Sequence, residues 1–440
     1  LEAIMIKVGG RRGLAVLFLV LPLVLVAACG PLSAPEPAST GASATAGATG
    51  IASAGATAGA AVSASASPSA SPTASADVEK MIGGPSAGWP YFSDPYPVYR
   101  TSHGTSVADP HIVFGTSDAV LLCPGQIRPG CYTRRPVVIT MSEAITAQAA
   151  AAGTVIVATQ NHNPFQNDDG AWSMALTVTV RQRSGHPSGH WDVVLHAHPA
   201  GPSDPVPTTW VADSVLVGSL AVSQDANYDG KYYEANGALY LLYSKRLSSG
   251  PARDGIVAQR MRSPRQPDGT APAVLLQPAP GTGFTSEDFF AGDPGSSFKL
   301  VETGNITRID GKYVMAYSTG DFEENDYKIA VAWSKTFLPP PGSTYAKLVT
   351  PDPSNLWRDR EDVSYLMQSQ EPQAPHYVGG QVLAPGVPSI VQDGRRWYLI
   401  FAGYQPGGQV PATFNPASRQ PYLVPLCLTG SASIIVACTR

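Results

Sequence analysis

Charge is scarce in this chain. Only 14% of its 440 residues are Asp, Glu, Lys or Arg, and 29 basic residues face 33 acidic ones. That balance leaves no basic footprint for nucleic acid. Long apolar runs are lacking too. The run from Leu14 to Val26 is too short to span a bilayer comfortably, and the mean hydropathy of −0.02 excludes a polytopic membrane protein. Cysteine is rare, five residues in all, and none shows the Cys-x-x-Cys spacing of a zinc site. Helical signals are nearly absent; the one candidate is Ser142 to Ala152, short and Ala-rich. What is plentiful is glycine (43) and proline (41). Both suit short strands joined by turns and argue against a helical bundle.

Translation is expected to begin at Met5, followed by a positive stretch with Lys7, Arg11 and Arg12 and then the apolar run. This order reads as a secretory signal over residues 1–28. The run ends in Val26-Ala27-Ala28-Cys29-Gly30, which resembles a bacterial lipobox. The resemblance implies cleavage before Cys29 and a lipid on its sulfur. Residues 29–78 are Ala, Ser, Thr, Gly and Pro with little else. Such a segment cannot bury enough surface to offset its ordering entropy, so it reads as a flexible tether. The chain is therefore expected to be exported and anchored to the outer side of a bacterial membrane. The other cysteines fall in two close pairs, and disulfides Cys123–Cys131 and Cys427–Cys438 are expected, one of three connectivities.

Residues 79–440 carry strand signals almost throughout, with a weak internal repeat. Tyr233-Glu-Ala-Asn-Gly-Ala-Leu-Tyr-Leu-Leu-Tyr, Ile309-Asp-Gly-Lys-Tyr-Val-Met-Ala-Tyr and Val391-Gln-Asp-Gly-Arg-Arg-Trp-Tyr-Leu-Ile-Phe all read as strand, polar-Gly turn, aromatic strand. That is the hairpin of a propeller blade. Weaker matches near 97–143 and 153–200 bring the expectation to an all-β, five-bladed β-propeller. A pair of β-sandwiches is the alternative.

Three pieces resemble the five-bladed glycoside hydrolases of family 43. They are Ala108-Asp109-Pro110-His111 after Pro97-Val98, Val301-Glu302-Thr303-Gly304-Asn305-Ile306 with its hairpin, and Ala384-Pro385-Gly386-Val387-Pro388-Ser389 with its hairpin. The resemblance implies inverting hydrolysis of arabinofuranosyl or xylosyl linkages. One carboxylate activates water, one carboxylic acid protonates the leaving oxygen, and a third acid holds the donor's pKa up. By resemblance Asp109 falls at the general base and Glu302 at the general acid. Counting back from the hairpin glycine, Asp229 falls at the third acid. Asp94-Pro95 repeats the Asp-Pro dipeptide and is the alternative base; Glu234 is the alternative third acid. The family's usual Glu-Gly-Pro is Glu302-Thr303-Gly304 here. Its usual His near a central ion is Val387, and the first blade shows no Gly-x-Tyr-Tyr hairpin.

No cofactor is required by this chemistry, and no metal ligand is assigned. Asp225-Ala-Asn227-Tyr-Asp229-Gly230 matches the opening of a calcium loop but closes on Asn236 instead of Glu, so structural calcium is left open. His196-Ala-His198 places two imidazoles on one strand face with no third ligand nearby in sequence. Gly84-Pro-Ser86-Ala-Gly88 fits a nucleophile pattern but lacks the strand before it and the helix after it. Trp89, Tyr91, Phe92 and Trp172 are aromatic candidates for sugar stacking. The expected partner is a carbohydrate substrate, with the protein acting as a monomer. The rival reading is a lipoprotein propeller that binds carbohydrate without cutting it.

Overall fold

The computed structural model describes residues 79–80, 93–115, 118–128, 130–183, 189–201, 205–223, 225–248, 253–278, 298–322, 327–348, 365–369, 382–404, 419–429 and 434–437. The signal 1–28, Cys29, the tether to residue 78, the Gly84–Gly88 stretch, Trp89, Tyr91, Phe92 and Cys438 lie outside them.

Five antiparallel meanders follow one another as blades. The first is Tyr96–Ser102, Thr105–Phe114, Ala119–Leu122 and Thr133–Pro136. The second is Thr154–Gln166, Trp172–Gln182, His190–Pro199 and Thr209–Val217. The third is Asn227–Ala235, Ala238–Ser248, Arg253–Ser263 and Ala273–Leu276. The fourth is Glu302–Ile309, Lys312–Thr319, Lys328–Ser334 and Tyr365–Met367. The fifth is Leu383–Asp393, Arg396–Tyr404, Arg419–Thr429 and Ile434–Ala437. The backbone of Glu79–Lys80 pairs with Tyr422–Leu423, so the start of the globular part adds to the last blade. The innermost strands of the first two blades also pair in parallel, Tyr99 with Phe165 and Arg100 with Gln166. The architecture is the five-bladed propeller expected, and the sandwich alternative is discarded.

The middle strands are buried on both faces, which explains why they read as apolar runs instead of alternating ones. Met174, Leu176, Val178 and Val180 pack against Val98, Ile112 and Phe114 between the first and second blades. Ile329, Val331 and Val314 meet Leu399, Phe401 and Val424 between the fourth and fifth. Each such side chain contributes roughly 1.5–3 kcal/mol on burial, so the seams between blades hold the ring together.

Turn chemistry sets the hairpins. Asn236-Gly237 and Asp310-Gly311 both have positive φ at each central residue, the type I′ geometry that matches strand twist. The first blade has the same turn at His103-Gly104, where the sequence lacks the Gly-x-Tyr-Tyr pattern. The helix spans Glu143–Ala151 between the first two blades, capped by the Ser142 hydroxyl, which accepts from Ile145 N at 3.3 Å. Cys123–Cys131 is a disulfide as expected. Cys427 is disulfide-bonded too. The stretch read as a calcium loop is instead the inner strand of the third blade from Asn227 on. Its Asp225 is exposed while Asp229 is buried, so the two do not form a loop around one ion.

Candidate active site

Besides Ala384, a second one in the fifth blade, each blade carries a non-glycine residue with positive φ at, or just before, its inner strand: Asp94, Asn161, Asp229, Thr303 and Val387. At the last four the strand register slips against its neighbour, the mark of a β-bulge. All five residues line one cavity of about 1040 Å³. A left-handed conformation is uncommon for any non-glycine residue and an outlier for the β-branched Thr303 and Val387, and such strain gathers at functional sites. A bulge turns side chains out of the blade, so four bulges and the bend at Asp94 make a ring of re-aimed residues at one end of the inner strands.

Glycine follows two of them for want of space. A Cβ on Gly230 would run into the Val194 side chain. One on Gly304 would sit 2.6 Å from Ile256 Cδ1 and 3.0 Å from Met315 Sδ.

Among the carboxyl groups in the cavity wall, which also include Asp118 and Asp192, Asp94, Asp229 and Glu302 stand at or beside the bends of three blades. Their surroundings differ. Asp94 Oδ1 lies 3.4 Å from Nη1 of Arg419, a side chain only 4% exposed. That cation favours the ionised carboxylate. Glu302 is buried among hydroxyls: Tyr327 Oη donates to its Oε1, and Tyr228 reaches it as well. Burial pushes the Glu302 carboxyl up to about 8, the nearby Asp229 charge adds to the rise, and the two tyrosines oppose it. Asp229 accepts from Asn161 Nδ2 and, at 3.5 Å, from Tyr96 Oη. Its own pKa is raised by burial, with Lys231 opposing and Asp94 and Asp192 adding. Behind Glu302, Tyr228 Oη donates to Asp254 at 3.2 Å, and Arg246 pairs with the same Asp254.

Lys231 supplies a fully buried ammonium at this end of the third blade. It donates to Asn305 Oδ1 at 3.3 Å and to the Thr303 carbonyl at 3.5 Å, and it lies 5.2 Å over the Tyr96 ring. With an ammonium against these oxygens and Val387 in place of an imidazole, the donor set at the ring does not suit a central metal ion.

The structure brings Asp229 and Glu302 together and leaves Asp109 out. Asp109 lies in the second strand of the first blade, paired with Arg100 at 2.9 Å and accepting from its own neighbour His111 N at 2.9 Å. It does not line the cavity, so it does not stand with Asp229 and Glu302 where the general base was expected. The physical reason is its position past the hairpin turn, on a strand one removed from the axis, where the side chain meets a surface arginine. Asp94, the alternative, does line the cavity. Glu234 is engaged by Thr101 Oγ1 at 3.0 Å and also stays outside. Trp172 packs edge-on against Trp210 in the core between blades, not against the cavity.

Sequence reasoning missed Arg419, Tyr327, Tyr96 and Asn161. No local pattern marks Arg419 or Tyr327, whose partners come from other blades. The bulges left a faint trace: in four of five blades the residue at the bend is followed by Gly or Pro, as in Asp94-Pro95, Asp229-Gly230, Thr303-Gly304 and Val387-Pro388.

No protein-family model and no curated protein sequence matches the chain. Solved structures do. One described as an alpha-L-arabinofuranosidase from Lactobacillus brevis superposes with a TM-score of 0.53 at 13% identity, covering 76% of this chain and 90% of that one. Another, described as a thermostable family-43 glycoside hydrolase, gives 0.49 at 15% identity, covering 79% and 93%. At such identities the likeness is one of fold.

Proposed function

We propose that the protein is a glycoside hydrolase that inverts the anomeric centre, with Asp94 as general base, Glu302 as general acid and Asp229 as the residue that keeps Glu302 protonated. The observation that carries this reading is the pairing of opposite environments in one cavity. Asp94 sits beside the Arg419 guanidinium and Glu302 is buried next to another carboxylate. One carboxyl group beside a cation and another buried beside a carboxylate are the opposed environments that base and acid assignments require.

In the reaction Asp94 removes a proton from water, and that oxygen attacks C1 of the sugar from one face. The glycosidic C1–O bond breaks, and Glu302 gives its proton to the departing oxygen. Asp229, held by Asn161 and Tyr96, raises the donor's pKa by like-charge proximity. Arabinofuranosyl units are the substrate favoured by the likeness to the arabinofuranosidase structure. Xylosyl units are the other class implied by the sequence resemblance.

Export with a lipid on Cys29 belongs to the same proposal. It is supported by the order of charge, apolar run and small residues before Cys29 and by the Cys123–Cys131 disulfide, which suits an oxidising compartment.

The test is turnover on chromogenic arabinofuranosides, xylosides, galactosides and fructosides, with Glu302→Gln beside the parent protein. Proton NMR of the first-formed sugar reads the anomer. Hydrolysis with inversion, lost in folded Glu302→Gln, is expected. Turnover that survives the substitution, or retention of configuration, would contradict the assignment.

A further inference from the structure

Outside the cavity, the second blade holds a cluster that the proposed chemistry does not use. His196 and His198 alternate along its third strand and therefore share a face. The neighbouring strand is Thr209–Val217, and its register slips between Ala212 and Ser214. Asp213 is the residue at the slip, so the bulge turns its carboxylate toward the two imidazoles. Its Oδ1 lies 2.7 Å from Nδ1 of His196 and its Oδ2 lies 2.7 Å from Nδ1 of His198. The rings are nearly parallel, 19° apart with centroids at 6.3 Å. One ligand atom from each residue falls within 4.8 Å of the other two. His196 is almost wholly buried, with 3% of its side chain exposed, while His198 faces solvent at 41%. The cluster thus has a fixed inner wall and an open mouth.

We propose that His196, His198 and Asp213 form a binding site for a divalent transition metal of the zinc class, and that Arg265 acts as its gate. Two imidazoles and one carboxylate suit zinc, nickel, cobalt or copper, whereas calcium and magnesium prefer sets made of oxygen alone. The contacts between ligand atoms are close to those of a tetrahedral zinc site, so small ring rotations suffice. Each neutral imidazole presents its Nδ1 lone pair to the metal and carries its proton on Nε2 instead.

Arg265 comes from the third blade, at the short turn after Ser263, and its guanidinium pairs with Asp213 Oδ2. It also approaches His198 Nδ1 at 3.5 Å. It therefore occupies the position that a cation would take. Its side chain is 58% exposed, against 12% for Asp213, so the guanidinium can swing into water and leave the carboxylate to the metal. Metal binding then exchanges one cation for another on the same carboxylate.

The test is isothermal titration of the untagged full chain with Zn²⁺, with Ca²⁺ as the control. One Zn²⁺ per chain at micromolar affinity or tighter is expected, with no Ca²⁺ bound at that site. His198→Ala, at the open mouth, should weaken Zn²⁺ by about 100-fold while leaving the unfolding temperature in EDTA unchanged. Arg265→Gln should tighten it by about tenfold, the equivalent of about 1.4 kcal/mol. Absence of saturable Zn²⁺ binding, or binding that His198→Ala leaves intact, would overturn the site. An affinity unmoved by Arg265→Gln would overturn the gate.

Discussion

Arg419 holds its Nη1 3.4 Å from Oδ1 of Asp94. The same guanidinium lies 5.4 Å over the ring of Tyr327, whose hydroxyl donates to Glu302. One buried cation from the fifth blade thus stands beside the proposed base and behind the partner of the proposed acid. Replacing it with Met removes the positive charge beside Asp94. The acid limb of the kcat/KM profile should move to higher pH, and kcat should fall by roughly 10²-fold or more. Arg419→Lys should restore part of the limb's position, because it returns the charge without the fork. A profile that does not move in Arg419→Met would show that the pair does not act on the base.

Asp229 raises the Glu302 carboxyl by like-charge proximity. In Asp229→Asn that repulsion is gone, so Glu302 loses its proton more readily and the alkaline limb of activity should move to lower pH. The shift of the limb, read by pH-rate profiles, is the signature. A drop in rate at all pH values with the limb fixed would instead assign Asp229 to binding alone.

Glu302 also leaves a mark on stability. Its carboxyl is pushed up to about 8 from an ordinary value of 4.5, so the folded state binds a proton that the unfolded chain has released. Between those two values the parent protein should lose stability as pH rises. Glu302→Gln has no such group, so its unfolding temperature should gain on the parent's across that window. Parallel curves from pH 4.5 to 8 would show that the group is not buried in its acid form.

A glycine far from the chemistry in sequence controls the acid's partner. A Cβ on Gly386 would overlap the ring of Tyr327. Gly386→Ala should push that ring aside, break its hydrogen bond to Glu302 and lower kcat by about tenfold or more, since small misplacements at a reacting centre are costly. The effect should appear in kcat more than in KM, with the far-ultraviolet circular dichroism unchanged. Parent-like kcat would mean the ring finds another path to Glu302.

The hairpins were legible in sequence because each is local: Asn236-Gly237 and Asp310-Gly311 announce their turns, and the apolar runs beside them announce buried strands. Counting back from those glycines reached Asp229, and the resemblance around the same hairpins reached Glu302. It failed in the first blade for a physical reason. There the turn is His103-Gly104, with no Asn or Asp to mark it, and Asp94 stands ten residues before the glycine, whereas Asp229 and Thr303 stand eight before theirs. The resemblance therefore settled on Asp109, which shares the Asp-Pro dipeptide but lies across the hairpin. Arg419 and Tyr327 were out of reach because only the closure of the ring brings them to Asp94 and Glu302. The third partner of His196 and His198 was hidden in the same way. An ideal strand carries its odd and even residues to opposite faces, and only the bulge at Asp213 brings a carboxylate round.

The most direct measurement is hydrolysis of the best arabinofuranoside or xyloside by Asp94→Asn and Asp109→Asn, side by side and at equal folded concentration. Asp94→Asn is expected to lose about 10³-fold or more in kcat, the scale of losing a general base, while Asp109→Asn stays near the parent. Loss of activity in Asp109→Asn with Asp94→Asn unaffected would contradict the assignment of the base.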